Sequence, residues 1–243
     1  MGTRVDIIGH GGNLREITSQ SCALLVELES LWSVFRPDSD VSRINEADSW
    51  CEVDERSDAL LQDALALTEA SGGAFNPLIG QLGELWDVKG WRRALVEGGP
   101  LPSVPSKEAL ASARAWAAEP GIERDSAGRW RLSRGGAKST PTFRRGPIDL
   151  GGIAKGAAAD ELRDAAVRLG AEGVLVSMGT SSIAVHGHRA DGGEWRVGLR
   201  DPDGPEDEWI GKVLLNGGAL STSGACGPRL LAPRASQRAE VHQ

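Results

Sequence analysis

The 243-residue chain is predicted to fold as an α+β protein, with a mixed or antiparallel sheet core and helices packed on it. Segments of helical and strand period do not alternate strictly, as a doubly wound parallel sheet would require. Strand-like runs in the second half follow one another through short glycine turns. No internal repeat or long low-complexity segment interrupts the pattern. The expected layout is one domain over 1–228 and an irregular tail over 229–243.

Thr3–Ile8 alternates as a strand. Asn13 with Glu16 three residues on forms a capping box for the first helix. Leu14, Ile17, Leu24, Leu25, Leu28, Leu31, Trp32 and Phe35 recur there at three- and four-residue steps and define its buried face. That helix must stop by Pro37, because the residue before a proline is pushed out of the helical region. The following FRPDSDVSRINEA is rich in turn formers. It reads either as a solvated loop capping a short helix or as a loop whose Asn and Ser groups grip a ligand.

Ser57 is positioned to cap a second helix, with Leu60, Leu61, Ala64, Leu65 and Thr68 inward and Gly72-Gly73 at its end. In GGAFNPLIGQLGELWDV, Phe75 and Trp86 are large apolar bodies set among glycines, suited to a core or to a cofactor wall. Glu97–Pro105 reads as a surface connection. Ser106 opens a third helix to about Ala118, with Leu110, Ala113, Trp116 and Ala117 inward. Trp130–Ser133 is a strand, and Gly135–Gly146 is an exposed loop carrying Lys138, Arg144 and Arg145.

The most informative stretch is Pro147–Gly187. It reads as a short strand, a turn on Gly151-Gly152, a helix closing at Gly170, and two apolar runs, Val174–Met178 and Ile183–Val185. Between those runs lies the small polar set Gly179-Thr180-Ser181-Ser182. A strand feeding a glycine turn and a helix aims unpaired N–H groups and the positive end of the helix dipole at whatever lies in front of the turn. Lys155 could neutralise a phosphate there or face solvent. Trp195–Leu199 and Lys212–Leu215 are further strands, the first followed by the turn Asp201–Gly204. Gly217–Gly224 places small hydroxyl residues beside glycines, as either a ligand-approach loop or a plain turn.

Several function classes are excluded or disfavoured. A net charge of −7 with no basic run argues against nucleic acid and anionic lipid as partners. Cys22, Cys51 and Cys226 show neither a disulfide framework nor a zinc pattern. No secretory leader or membrane span is visible, so a cytoplasmic setting is the default. Neither standard nucleotide fingerprint is present, since Lys155-Gly156 has the wrong order for a P-loop. No serine-hydrolase elbow surrounds Ser182 or Ser223. His186 and His188 share a strand face but lack an evident third metal ligand, which favours a structural role.

Read jointly, MGTRV, FRPDSDVSRIN, GGAFNPLIGQLGELW, PIDLGGIAKG, MGTSSIAVHG, WRVGLRDP and LSTSG resemble, in order and spacing, the bacterial FAD:protein FMN transferases, the ApbE family. The resemblance spans nearly the whole chain. It implies an ApbE-like, T-fold-like architecture. The implied activity is magnesium-dependent transfer of FMN from FAD to a Thr or Ser hydroxyl of an acceptor protein, with release of AMP. It implies that Ser39 and Asn45 hold the nucleotide and that Phe75, Asn76 and Trp86 help form the flavin pocket. Asp149, Gly151, Gly152 and Lys155 would sit by the phosphates, with Thr180, Ser221, Thr222 and Ser223 on the opposite wall. The Ala154 backbone carbonyl would be a Mg²⁺ ligand and His242 the base. Asn76 stands where the family often has Asp. The family also continues for several dozen residues past its His and carries further metal ligands there. The chain is therefore expected to be truncated, and a non-catalytic FAD-binding or scaffold protein is the alternative.

Overall fold

The computed structural model describes residues 3–118, 121–133, 146–179, 181–201, 204–205 and 208–223, with the side chains of 92, 116 and 118 left out of the description. The basic loop expected over 135–146 lies almost wholly outside these residues. So do Thr180, His242, Cys226 and the 229–243 tail.

Strand β1 (Val5–Gly11) opens the chain and is followed by α1 (Leu14–Trp32). Asn13 caps α1 by accepting a hydrogen bond from the Glu16 N–H at 3.3 Å, as the capping box predicts. The helix ends at Trp32 with Ser33 extended. Phe35 therefore falls beyond the helical face on which periodicity placed it. It is 60% exposed, with the Lys89 ammonium 4.5 Å from its ring centroid. Leu14, also expected inward, is exposed in the first turn.

A short helix, α2 (Asp40–Glu46), and a longer one, α3 (Glu55–Ala70), follow. The α3 cap is Asp54, which accepts the Arg56 N–H at 3.0 Å. Ser57, the expected cap, lies inside the first turn and is buried. The glycine-spaced stretch after Asn76 forms α4 (Gly80–Trp86) and α5 (Val88–Glu97). Asp87, in the left-handed region at φ 36°, ends α4 and accepts the Gly90 N–H at 3.1 Å to start α5. Glycines at 80, 83 and 90 weaken local helix propensity, which hides this pair from a periodicity argument. Helix α6 (Lys107–Ala118) begins where Ser106 accepts the Ala109 N–H. A small hairpin, β2 (Ile122–Arg124) and β3 (Trp130–Leu132), completes the first half.

The second half contains α7 (Ala154–Arg168), β4 (Ala171–Met178), β5 (Ser182–His186), β6 (Trp195–Arg200), β7 (Trp209–Leu215) and β8 (Gly218–Ser221). The principal sheet has the order β1-β4-β5-β8, and each of its pairings is antiparallel. Strands β6 and β7 form a separate antiparallel hairpin. The α+β expectation thus resolves to antiparallel pairing throughout the described strands. Residues 218–221, left open between ligand loop and turn, belong to a sheet edge.

Helix α7 lies on β4 and β5, and α1 packs on α7. Alternate residues of the two central strands feed two different cores. Val174, Val176, Met178 and Ala184 join the large core with Leu28, Trp32, Leu150 and Leu162. Leu175, Ile183 and Val185 join Trp195 in a smaller core on the other side. Because both faces are covered, β4 and β5 read as continuous apolar runs rather than as alternating strands. Gly170, at φ +86°, closes α7 and turns the chain into β4.

Candidate active site

The site forms where three segments meet, and two glycines let them approach. Residues 146–150 make no regular strand, contrary to the short strand expected there. They are instead fixed by individual hydrogen bonds: Gly80 N–H to the Pro147 carbonyl and Asp149 N–H to the Pro77 carbonyl, both 2.8 Å. Asn45 reaches in from α2, donating through Nδ2 to the Ile148 carbonyl at 3.0 Å and accepting the Ile148 N–H through Oδ1 at 2.9 Å. A Cβ on Gly80 would stand 2.5 Å from the Gly146 carbonyl oxygen, and one on Gly146 would stand 2.2 Å from Asn45 Cγ. Side chains there would push the segments apart.

Ile148 and Leu150 bury their side chains in the large core, which leaves Asp149 half-buried between them. Its Oδ1 accepts the Gly151 N–H at 2.7 Å, closing a tight turn. Gly151 and Gly152 are exposed. The Phe75 ring lies beside Gly152, where an added Cβ would meet Cε2 at 3.1 Å. Helix α7 then starts without any side-chain cap hydrogen bond. The Ile153 and Ala154 N–H groups donate to the Leu150 carbonyl at 3.0 and 2.8 Å and the Ala157 N–H to the Ile153 carbonyl at 3.2 Å, so the N–H groups of Lys155 and Gly156, with the positive dipole end, are what the first turn offers an anion.

Lys155 extends from that first turn and donates through Nζ to Ser181 Oγ at 2.7 Å. The Ser181 carbonyl in turn accepts Ser221 Oγ at 3.2 Å and the Thr222 N–H at 2.9 Å. Asp149, Gly151, Gly152, Phe75 and Lys155 thus lie around one turn, and Ser181 links that turn to Ser221 and Thr222 at the end of β8. Ser223 follows them and is exposed. Ala154 is buried in the first turn of α7.

Other residues singled out in the sequence have partners within the protein. Ser39 is fully buried as the cap of α2, donating to the Ser33 carbonyl and accepting the Ser42 N–H. Residues 35–38 are exposed and Ser39 caps the short helix α2, as the reading of a solvated loop capping a short helix expects, while the Ser39 hydroxyl is itself buried on these internal partners. Asn76 donates to the Ala117 carbonyl and accepts the Leu78 N–H, both at 2.8 Å, and so shapes the Pro77 turn that holds Asp149. Trp86 ends α4 and is 40% exposed. His186 and His188 sit toward the opposite end of the sheet, where a His10 ring nitrogen lies 2.8 Å from the His188 carbonyl. Among the described residues no group of three or more His, Cys, Asp or Glu is placed to hold a metal ion.

Ser181, Pro77, Gly80 and Gly146 are site-forming residues that sequence reasoning does not single out individually. Their roles depend on backbone contacts between distant segments. For Ser181 the available signal is its place in the polar set 179–182.

The family model described as the ApbE family matches residues 1–237. A FAD:protein FMN transferase of Treponema pallidum is 33% identical over 213 residues, covering 83% of this chain and 55% of the relative. The crystal structure of the ApbE protein of Thermotoga maritima superposes with a TM-score of 0.74 at 30% identity, covering 92% of this chain and 67% of that one. The apo flavinyl transferase ApbE of Pseudomonas stutzeri gives a TM-score of 0.68 at 25% identity, covering 89% and 63%. The chain spans about half the length of the curated relatives it matches, from 53% to 62%.

Proposed function

The chain belongs to the ApbE family, and from that premise we propose that it binds FAD and serves the transfer of FMN from FAD to a Thr or Ser hydroxyl of an acceptor protein, releasing AMP. The observation that carries this reading is the uncapped start of α7 behind the Gly151-Gly152 turn, with Lys155 beside it. It occurs in a chain whose relatives are named FAD:protein FMN transferases.

In this reading the pyrophosphate of FAD lies at the turn. The first-turn N–H groups of α7 and the Lys155 ammonium offset its charge, and the Phe75 side supports the flavin. The acceptor hydroxyl oxygen forms a bond to the phosphorus of the FMN half while the bond between that phosphorus and the bridging pyrophosphate oxygen breaks. AMP departs with that oxygen, and the hydroxyl proton passes to a base, the part proposed for His242. Mg²⁺, when bound, would supply charge neutralisation at the phosphates. The described residues offer it backbone carbonyls, hydroxyls and the Asp149 carboxylate rather than a cluster of acidic or imidazole ligands. No step above is therefore routed through the metal.

Incubation with FAD, Mg²⁺ and an acceptor carrying a flavinylation motif is expected to give a fluorescent covalent adduct on the acceptor Thr or Ser. Absence of the adduct in a protein that nevertheless binds FAD would replace transfer with the non-catalytic flavin-binding reading. Absence of both would reject the proposal.

A further inference from the structure

Resting on the reading of the turn as a pyrophosphate site, we infer that Ser181 is the positioning residue that aims Lys155 at the anion. A lysine ammonium rides on a flexible four-carbon stem, so its location is ordinarily spread over many rotamers. Here Nζ is tied to Ser181 Oγ at 2.7 Å. Ser181 is itself anchored, because its carbonyl accepts both Ser221 Oγ and the Thr222 N–H. One residue therefore joins the first turn of α7, the β4–β5 turn and the end of β8.

The hydroxyl holds one ammonium hydrogen and leaves the others to face a ligand. The cation is thus preorganised before the anion arrives, which lowers the ordering cost of binding. The carbonyl and hydroxyl of Ser181 have separate tasks, so they can be separated by mutation. Ser181→Ala removes the lysine contact, together with the hydroxyl's 3.4 Å hydrogen bond to the Met178 carbonyl, but leaves the carbonyl that pins β8.

The test is equilibrium binding of FAD and of riboflavin, which lacks phosphate, to the parent chain and to Ser181→Ala, Ser181→Thr, Lys155→Met and the double variant Lys155→Met/Ser181→Ala. Ser181→Ala is expected to weaken FAD about tenfold, the loss associated with one hydrogen bond to a charged group, while leaving riboflavin unchanged. Ser181→Thr should restore FAD affinity, and the double variant should bind FAD no more weakly than Lys155→Met alone. FAD affinity unchanged in Ser181→Ala, equal losses for FAD and riboflavin, or additive losses in the double variant would overturn the inference while leaving the pyrophosphate site standing. A parent chain that binds riboflavin but gains nothing from the FAD phosphates would overturn both, as would one that binds neither flavin.

Discussion

The carboxamide of Asn45 completes both hydrogen bonds of Ile148, accepting its N–H at 2.9 Å and donating to its carbonyl at 3.0 Å. A side chain thereby does for the 146–150 segment what a neighbouring strand would do. Replacing it by Ala leaves both backbone groups of a residue whose side chain is buried without their partner. Asn45→Ala is expected to lose about 2–6 kcal/mol of stability, at roughly 1–3 kcal/mol for each of the two unsatisfied groups. Asn45→Asp keeps the acceptor but sets a carboxylate oxygen against the Ile148 carbonyl, so it should not rescue the loss. Urea unfolding followed by tryptophan fluorescence measures both; a loss below half a kcal/mol for Ala would contradict this role.

Acid sensitivity is expected at Asp58. Its carboxylate accepts Arg124 Nε at 2.7 Å, Arg124 Nη2 at 2.8 Å and the buried Trp130 indole N–H at 2.7 Å. Hydrogen bonding from Arg124, ahead of that from Trp130, holds the carboxyl below its usual range. A folded pKa below the unfolded value means that the stabilisation is fully present above the ordinary carboxylate range and is lost as pH falls through the lowered folded value. Asp58→Asn should be less stable than the parent at neutral pH, and the difference should shrink on acidification. A constant difference between pH 7 and pH 3 would show that the effect is not linked to protonation.

Two glycines should respond oppositely to alanine. Gly80→Ala drives a methyl against the Gly146 and Pro147 carbonyls, at 2.5 and 2.9 Å, and overpacking of this kind costs about 1–3 kcal/mol. Gly156, in the first turns of α7, has nothing within 4 Å of an added Cβ. Gly156→Ala should therefore raise stability by roughly 0.5–1 kcal/mol through helix propensity alone. Thermal unfolding of the pair checks both signs. Equal shifts would refute the close approach of residues 80 and 146.

The smaller core depends on Trp195, which is 5% exposed and donates its indole N–H to the His186 and Gly187 carbonyls at 3.2 and 3.0 Å. Trp195→Ala is expected to cost about 3–5 kcal/mol, in the range for large aromatic truncations. Trp195→Phe retains most of the apolar body and should cost less, chiefly the shared hydrogen bond. Hydrogen exchange in β6 and β7 should rise in Trp195→Ala before that of β1. Uniform acceleration across the sheet would show that the hairpin is not a separately stabilised unit.

Legibility from sequence followed the range of the interactions. The α1 cap at Asn13 and the α7 stop at Gly170 were readable because capping and left-handed glycine act within a few residues. Asp54 displaced Ser57 as the α3 cap because both are good capping types a few residues apart. Helices α4 and α5 escaped because glycines diluted their pattern and the joint between them is a single left-handed Asp87. At the site, the turn on Gly151-Gly152 and the presence of Lys155 were local facts. The partners of Asn45, Asn76 and Ser181 were not, since each bonds to a group brought near only by folding, backbone for the two asparagines and the Lys155 ammonium for Ser181.

The sequence by itself determined the α+β class, the apolar runs that became β4 and β5, the glycine turn feeding a helix, and membership of the ApbE family through motifs kept in order. Periodicity, caps and glycine placement encode such features within a few residues. Tertiary structure alone decided the strand order β1-β4-β5-β8, the division of β4 and β5 between two cores, and the docking of 146–150 between Asn45 and Gly80. It also decided that Lys155 meets Ser181. Apart from the β4–β5 hairpin, these strand pairings and hydrogen bonds join residues 26 to more than 160 positions apart, and no local pattern specifies which distant group a side chain will reach.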